Sequence, residues 1–239
     1  MASQAPSSSP LTFSTSVPSE WHGPPVILPK LTLGARIRSL LADRSRFSLF
    51  LRRESKGVLE AAESSLSSGS ALTGAVAELQ LQRCLTTAWK EQATLTAELC
   101  DSAITPLDGE DLRMLACSLT AVMEALHDVQ AAASRPLGDA DWPLDALCRA
   151  TLEYVTAVCD VIPEPLQLTH DAARMALLSS RSLALRGVRR ESESAVLDGR
   201  GLSDCQVLAR WSLLEEFRRL RSCLDDACVQ VQRVVLKNS

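Results

Sequence analysis

Aromatic residues are scarce in this chain, with one tyrosine, four phenylalanines and four tryptophans among 239 residues. Glycines number only ten, and no run of β-branched residues alternates with polar ones, so a large sheet is excluded. Charge of one sign is also missing. Lysine and arginine total 25 against 29 acidic residues, and a net charge of -4 offers no broad attraction to nucleic acid or anionic lipid. No apolar stretch approaches the roughly 18–20 residues that span a bilayer. The opening Met-Ala-Ser-Gln-Ala-Pro has no basic region followed by an apolar one, so the reading is a cytoplasmic protein with neither secretion nor direct membrane insertion.

Catalytic signatures are equally absent. There is no nucleophile elbow, phosphate loop, dinucleotide fingerprint or metalloprotease helix. The eight cysteines (Cys84, Cys100, Cys117, Cys148, Cys159, Cys205, Cys223 and Cys228) form no C-x-x-C pair and lie in apolar helical patterns. They read as free thiols serving as small hydrophobes in a reducing compartment, with no structural zinc. Of the three histidines, His127 and His170 each precede an aspartate. Adjacent residues on a helix point about 100° apart, so neither pair makes a relay by itself, and both read as surface histidines. With no nucleophile, base and stabiliser to assemble, the chain reads as a non-enzyme that needs no cofactor.

What the sequence does have is helical periodicity. Hydrophobic residues make up 46% of the chain, enough to bury a core without disulfide or metal staples. Six of the eleven prolines precede residue 30, with serines between them, so residues 1–30 read as a tail and 31–239 as one helical domain. Proline and glycine clusters break the helical pattern at 67–74, 104–109, 135–143, 162–165 and 198–203, and five breaks imply six helices. Steps of three and four place Leu112, Leu115, Leu119, Val122, Leu126 and Val129 on one stripe. Leu213, Phe217, Leu220, Leu224, Cys228 and Val231 form another, continued by Val234 and Val235, and Phe47, Leu51, Val58 and Ala62 a third. Asp108 is placed to cap the helix that follows it, while Glu110 and Asp111 complement its dipole. Short connections between long amphipathic helices require antiparallel neighbours. The expected fold is therefore all-α, an up-and-down helical bundle built as one six-helix unit or as two three-helix halves.

The segment Ala103-Ile104-Thr105-Pro106-Leu107-Asp108-Gly109-Glu110-Asp111-Leu112 resembles the turn between the second and third helices of PhoU-like proteins, in the divergent group of phosphate transport regulators. Gly109 stands where that family has arginine. Arg46-Phe47-Ser48-Leu49-Phe50, followed by Val58-Leu59-Glu60-Ala61-Ala62, is similar to the family's opening helix. Trp211, Asp225-Asp226-Ala227 and the finish Val234-Val235-Leu236-Lys237-Asn238 are similar to its last. The resemblance spans residues 31–239 and implies two three-helix repeats. It also implies a cytoplasmic regulatory role at a phosphate permease or its signalling partner, and association through bundle faces as a homodimer. A helical scaffold or adaptor unrelated to phosphate stands beside that reading.

The family carries glutamate-x-x-x-aspartate motifs that hold metal clusters on one bundle face. At the matching spacing this chain has Leu85 and Trp89, Thr120 and Glu124, Ser182 and Arg186, and Arg218 and Ser222, so of eight carboxylate positions only Glu124 survives. Two arginines invert the sign of the site. Like charges about 4 Å apart near a protein surface repel by about 4 kcal/mol, which disfavours a divalent cation and leads to the expectation of no metal cluster. Two readings of this face remain open. In one, Arg186, Arg189, Arg190 and Arg218 bind phosphate, polyphosphate or an acidic partner segment. In the other they are solvated or paired with Glu191, Glu215 and Glu216. Trp89 reads either as a core residue or as an apolar anchor for a partner. A further basic cluster, Arg36, Arg38, Arg44, Arg46, Arg52 and Arg53, reads as a solvated face or a phosphate contact.

Overall fold

A computed structural model of the chain describes residues 33–101, 109–138, 142–162, 172–198 and 201–237. The stretch read as a tail, the Pro106–Asp108 turn, His170-Asp171 and the side chains of Arg36, Arg38, Arg44, Arg46 and Cys100 lie outside the described residues. The described elements are all helices: α1 (Leu33–Leu66), α2 (Gly69–Leu72), α3 (Ala75–Asp101), α4 (Gly109–Ala133), α5 (Leu144–Val161), α6 (Ala172–Asp198) and α7 (Asp204–Lys237). Six of them are long, as expected. The single turn α2 forms inside the first break because the Ser68 hydroxyl accepts from the Ala71 N–H and caps it. Among the described residues no helix is long and apolar enough to cross a membrane.

Every member of the three apolar stripes is buried except Val235, which packs against the core from its margin. Helices α3, α4, α7 and α6 lie side by side in that order, and α1 and α5 pack on each other behind them. Helix α1 covers α3 and α4, while α5 covers α6 and α7. Exchanging α1 with α5, α3 with α6 and α4 with α7 leaves this pattern of neighbours unchanged. The bundle is therefore two three-helix repeats joined through the α4–α7 seam.

Polar contacts set the register of that seam. Lys237 Nζ lies 2.9 Å from both carboxylate oxygens of Asp111, a residue only 2% exposed, and Arg233 Nε is 3.8 Å away. Farther along, Arg219 Nη1 donates to Asp128 Oδ2 at 2.7 Å and Arg135 Nη1 donates to Ser212 Oγ at 2.7 Å. Asp111 thus does more than complement a dipole. A buried carboxylate with a cation in reach penalises any slip of one helix along the other, since the slip would leave the charge unpaired.

The α4–α5 connection is clamped by another buried charge. Arg210 of α7, 2% exposed, donates from Nε to Leu137 O at 2.7 Å and from Nη2 to Gly138 O at 3.4 Å, with its guanidinium carbon 5.2 Å from the Trp142 ring centre. Trp142 Nε1 in turn donates to Ser192 O of α6 at 3.3 Å. Gly138 has φ 76°, a left-handed conformation that favours glycine, whereas the contact a Cβ would make with Gln206 Nε2 is to the movable end of a side chain. The cysteines are mixed. Cys148, Cys159 and Cys228 are buried, Cys84, Cys117 and Cys223 half-buried, but Cys205 is exposed at the first turn of α7, where the apolar stripe has not yet begun.

Replacing Arg210 with alanine leaves Leu137 O without its buried donor and a cavity beside Trp142. Unfolding in urea is expected to show a loss of about 3 kcal/mol with an unchanged slope.

Candidate functional site

The candidate residues fall on the four-helix layer. Trp89 of α3 is 51% exposed, and its indole Nε1 donates to Glu124 Oε1 of α4 at 3.0 Å. The tryptophan therefore sits at the surface with its ring orientation fixed by the one surviving carboxylate. Beyond Glu124 the layer continues onto α7, where Cys223 meets the charges of Arg219, Asp226 and Glu124 and its thiol is pushed up chiefly by burial. On α3, Gln92 Nε2 lies 3.0 Å from Cys117 Sγ, which packs the next turn of α3 against α4.

The four candidate arginines lie on α6 and α7 but do not form one cluster of free charge. Glu215 accepts from Arg218 Nε at 2.8 and 2.9 Å, with a further contact from Nη2. Those hydrogen bonds hold the Glu215 carboxyl below its ordinary value, and the charge of Arg189 adds to them. Arg189 itself donates from Nη1 to Glu193 Oε1 at 2.6 Å. Pairing thus occurs with Glu215 as anticipated and with Glu193 instead of Glu191, while Glu216 lies 3.9 Å from Arg219. Arg186 and Arg190 are exposed, one helical turn apart, and make no ion pair among the described residues.

Arg186 borders a groove of about 460 Å³ between α6 and α7, lined also by Ser182, Asp225, Tyr154, Val229 and Gln232. Its floor is a hydroxyl–carboxylate network that the sequence did not reveal. Asp225 Oδ1 accepts from Tyr154 OH at 2.7 Å and from Ser182 Oγ at 2.8 Å, and Arg221 Nη1 lies 3.2 Å from Oδ2. Burial first, and the hydrogen bond to Asp225 second, push the Tyr154 hydroxyl far above its ordinary range. The partners are 43 and 71 residues from Asp225, beyond the reach of any local pattern.

These donors do not fit a hard-metal cluster. Leu85 and Thr120 are buried, and the Thr120 hydroxyl donates to Ala116 O. Glu124 Oε1 is occupied by the indole N–H, Ser182 donates to Asp225, and Arg218 is held by Glu215. Among the described residues no three His, Cys, Asp or Glu side chains stand where they could share an ion.

The architecture itself is that of the PhoU-like proteins. A crystal structure of a PhoU-like protein from Shewanella oneidensis MR-1 superposes with a TM-score of 0.72, over 80% of this chain and 99% of that one, at 13% identity. A second from the same organism, described as a PhoU-like phosphate regulatory protein, gives 0.67 with the same coverage at 12% identity. No protein-family model matches the sequence, and no curated protein matches it. The likeness is one of fold.

Tyr154→Phe removes one of the two hydroxyls that hold Asp225. The expected cost is about 1 kcal/mol in urea unfolding, and combining it with Ser182→Ala should cost more than the two single losses added, because Asp225 is then left without either hydroxyl donor.

Proposed function

We propose that this chain is a non-enzymatic regulator of inorganic phosphate transport that binds a phosphate permease or its signalling partner from the cytoplasmic side. The observation that carries the reading is the Trp89–Glu124 pair, which presents an oriented, half-exposed indole on the outer layer of a PhoU-like bundle. An aromatic ring held in place loses little conformational entropy on binding, which suits it to anchor an interface. Arg186 and Arg190 supply charge for an acidic segment of the partner, while Arg189 and Arg218 are each paired with a glutamate of their own helix. The regulator works without the family's metal cluster, and it pairs as a homodimer through a bundle face. The non-enzymatic reading is supported by the Ser182 hydroxyl, which donates to a carboxylate with no histidine of the described residues beside it, and by His127, which stands at the surface next to Asp128.

Affinity purification of the tagged chain from detergent-solubilised membranes of phosphate-starved cells is expected to enrich a phosphate permease or its sensor kinase, and Trp89→Ala to reduce that enrichment about tenfold or more, as loss of an interface hot spot does. Recovery of soluble, unrelated proteins alone would favour a helical scaffold instead. Adding Mn²⁺ or Fe³⁺ to the purified chain should leave its thermal midpoint where it was. A rise abolished by Glu124→Gln would overturn the metal-free mode of action.

A further inference from the structure

Between α1 and α3 lies a cleft of about 370 Å³ lined by two carboxyl groups, Glu54 and Glu91. Glu54 of α1 is 4% exposed, and no N–H or hydroxyl of the described residues donates to it. Its contact is the Glu91 carboxyl of α3, across the helix interface. Glu91 Oε1 lies 3.3 Å from Arg53 Nη1, whereas Glu91 Oε2 is buried with no partner. Two carboxyl groups in hydrogen-bond contact cannot both be ionised without strong repulsion, and a proton on Glu54 gives the pair the O–H donor that its orphaned oxygen lacks.

The remaining groups that face the pair leave it in this state. On α1 these are Arg53, already at Glu91, with Lys56 and Glu60, which pair with each other at 3.4 Å. On α3 they are Arg83 and the Cys84 thiol, the latter pushed up by burial and then by Glu60; α4 contributes only the uncharged Met123. The cleft is open at Gly57, where a Cβ would meet no atom within 4 Å.

We propose that Glu54 and Glu91 form a proton-operated contact that holds α1 against α3, closed when one proton is shared between them and loosened when both are ionised. Burial, followed by the hydrogen bond and charge of Glu91, raises Glu54 from its ordinary 4.5 to about 8. The folded chain therefore binds a proton that the unfolded chain releases. The contact contributes fully below about pH 4.5 and its contribution is lost as pH rises to about 8.

The test uses the full chain. The thermal midpoint of the wild type should fall by several degrees more than that of Glu54→Gln between pH 5 and pH 9, because the glutamine amide donates to Glu91 at every pH. Equal slopes for the two proteins would overturn the proposal. If the variant does not fold, infrared spectroscopy of the wild type decides. A protonated-carboxyl carbonyl band present at pH 6 and lost with a midpoint near 8, alongside faster amide exchange in α1 and α3, supports the contact; absence of that band at pH 6 overturns it.

Discussion

The α4–α7 seam is the more extensive of the two contacts, with α1–α5, through which the halves of this bundle become one body. Its interior is a double row of leucines with valines and a phenylalanine, each worth about 1.5–3 kcal/mol when fully withdrawn from water. Such a row is nearly periodic and tolerates displacement by one helical turn, about 5.4 Å, with little loss of apolar contact. The ionic contact at Asp111 does not tolerate it. The apolar row thus supplies the affinity of the two repeats, and the buried charge selects the one register in which the flanking helices meet the partners described above.

Much of this was legible in the residues. The stripes of α4, α7 and α1 appear as steps of three and four, and all but Val235 at the end of α7 become core. Glu54, Asp111 and Arg210 were harder to read, although each lies in phase with an apolar stripe: Glu54 between Leu51 and Val58, Asp111 four residues before Leu115, Arg210 three before Leu213. Phase placed them inside while their charge argued for the surface. What resolved the conflict lay 37, 126 and 73 residues away, in Glu91, Lys237 and Leu137. The family's motif spacing likewise located Leu85 and Thr120 along their helices without saying which way they face, and both turn inward.

On the outer layer the side chains, and not the scaffold, set the chemistry. At one matched position, an indole now satisfies a glutamate. At another, a serine takes part in a network with a tyrosine and an aspartate. At a third, an arginine is bound by its own helix neighbour. At these three positions the polar atoms are satisfied within the chain, whereas Arg186 stays exposed and without an ion pair among the described residues. Fold comparison detects none of this, since the backbone accommodates either chemistry.

The seam also imposes an order on the life of the chain. Helix α4 leaves the ribosome well before α7, because the residues that pin the two together are separated by 91 and 126 positions. At a synthesis rate of about 5–20 residues per second, the apolar stripe of α4 lacks its principal partner for several seconds. During that interval the first repeat is a three-helix unit with one unfinished face. A chain ending between Ala133 and Leu213 would keep that face uncovered.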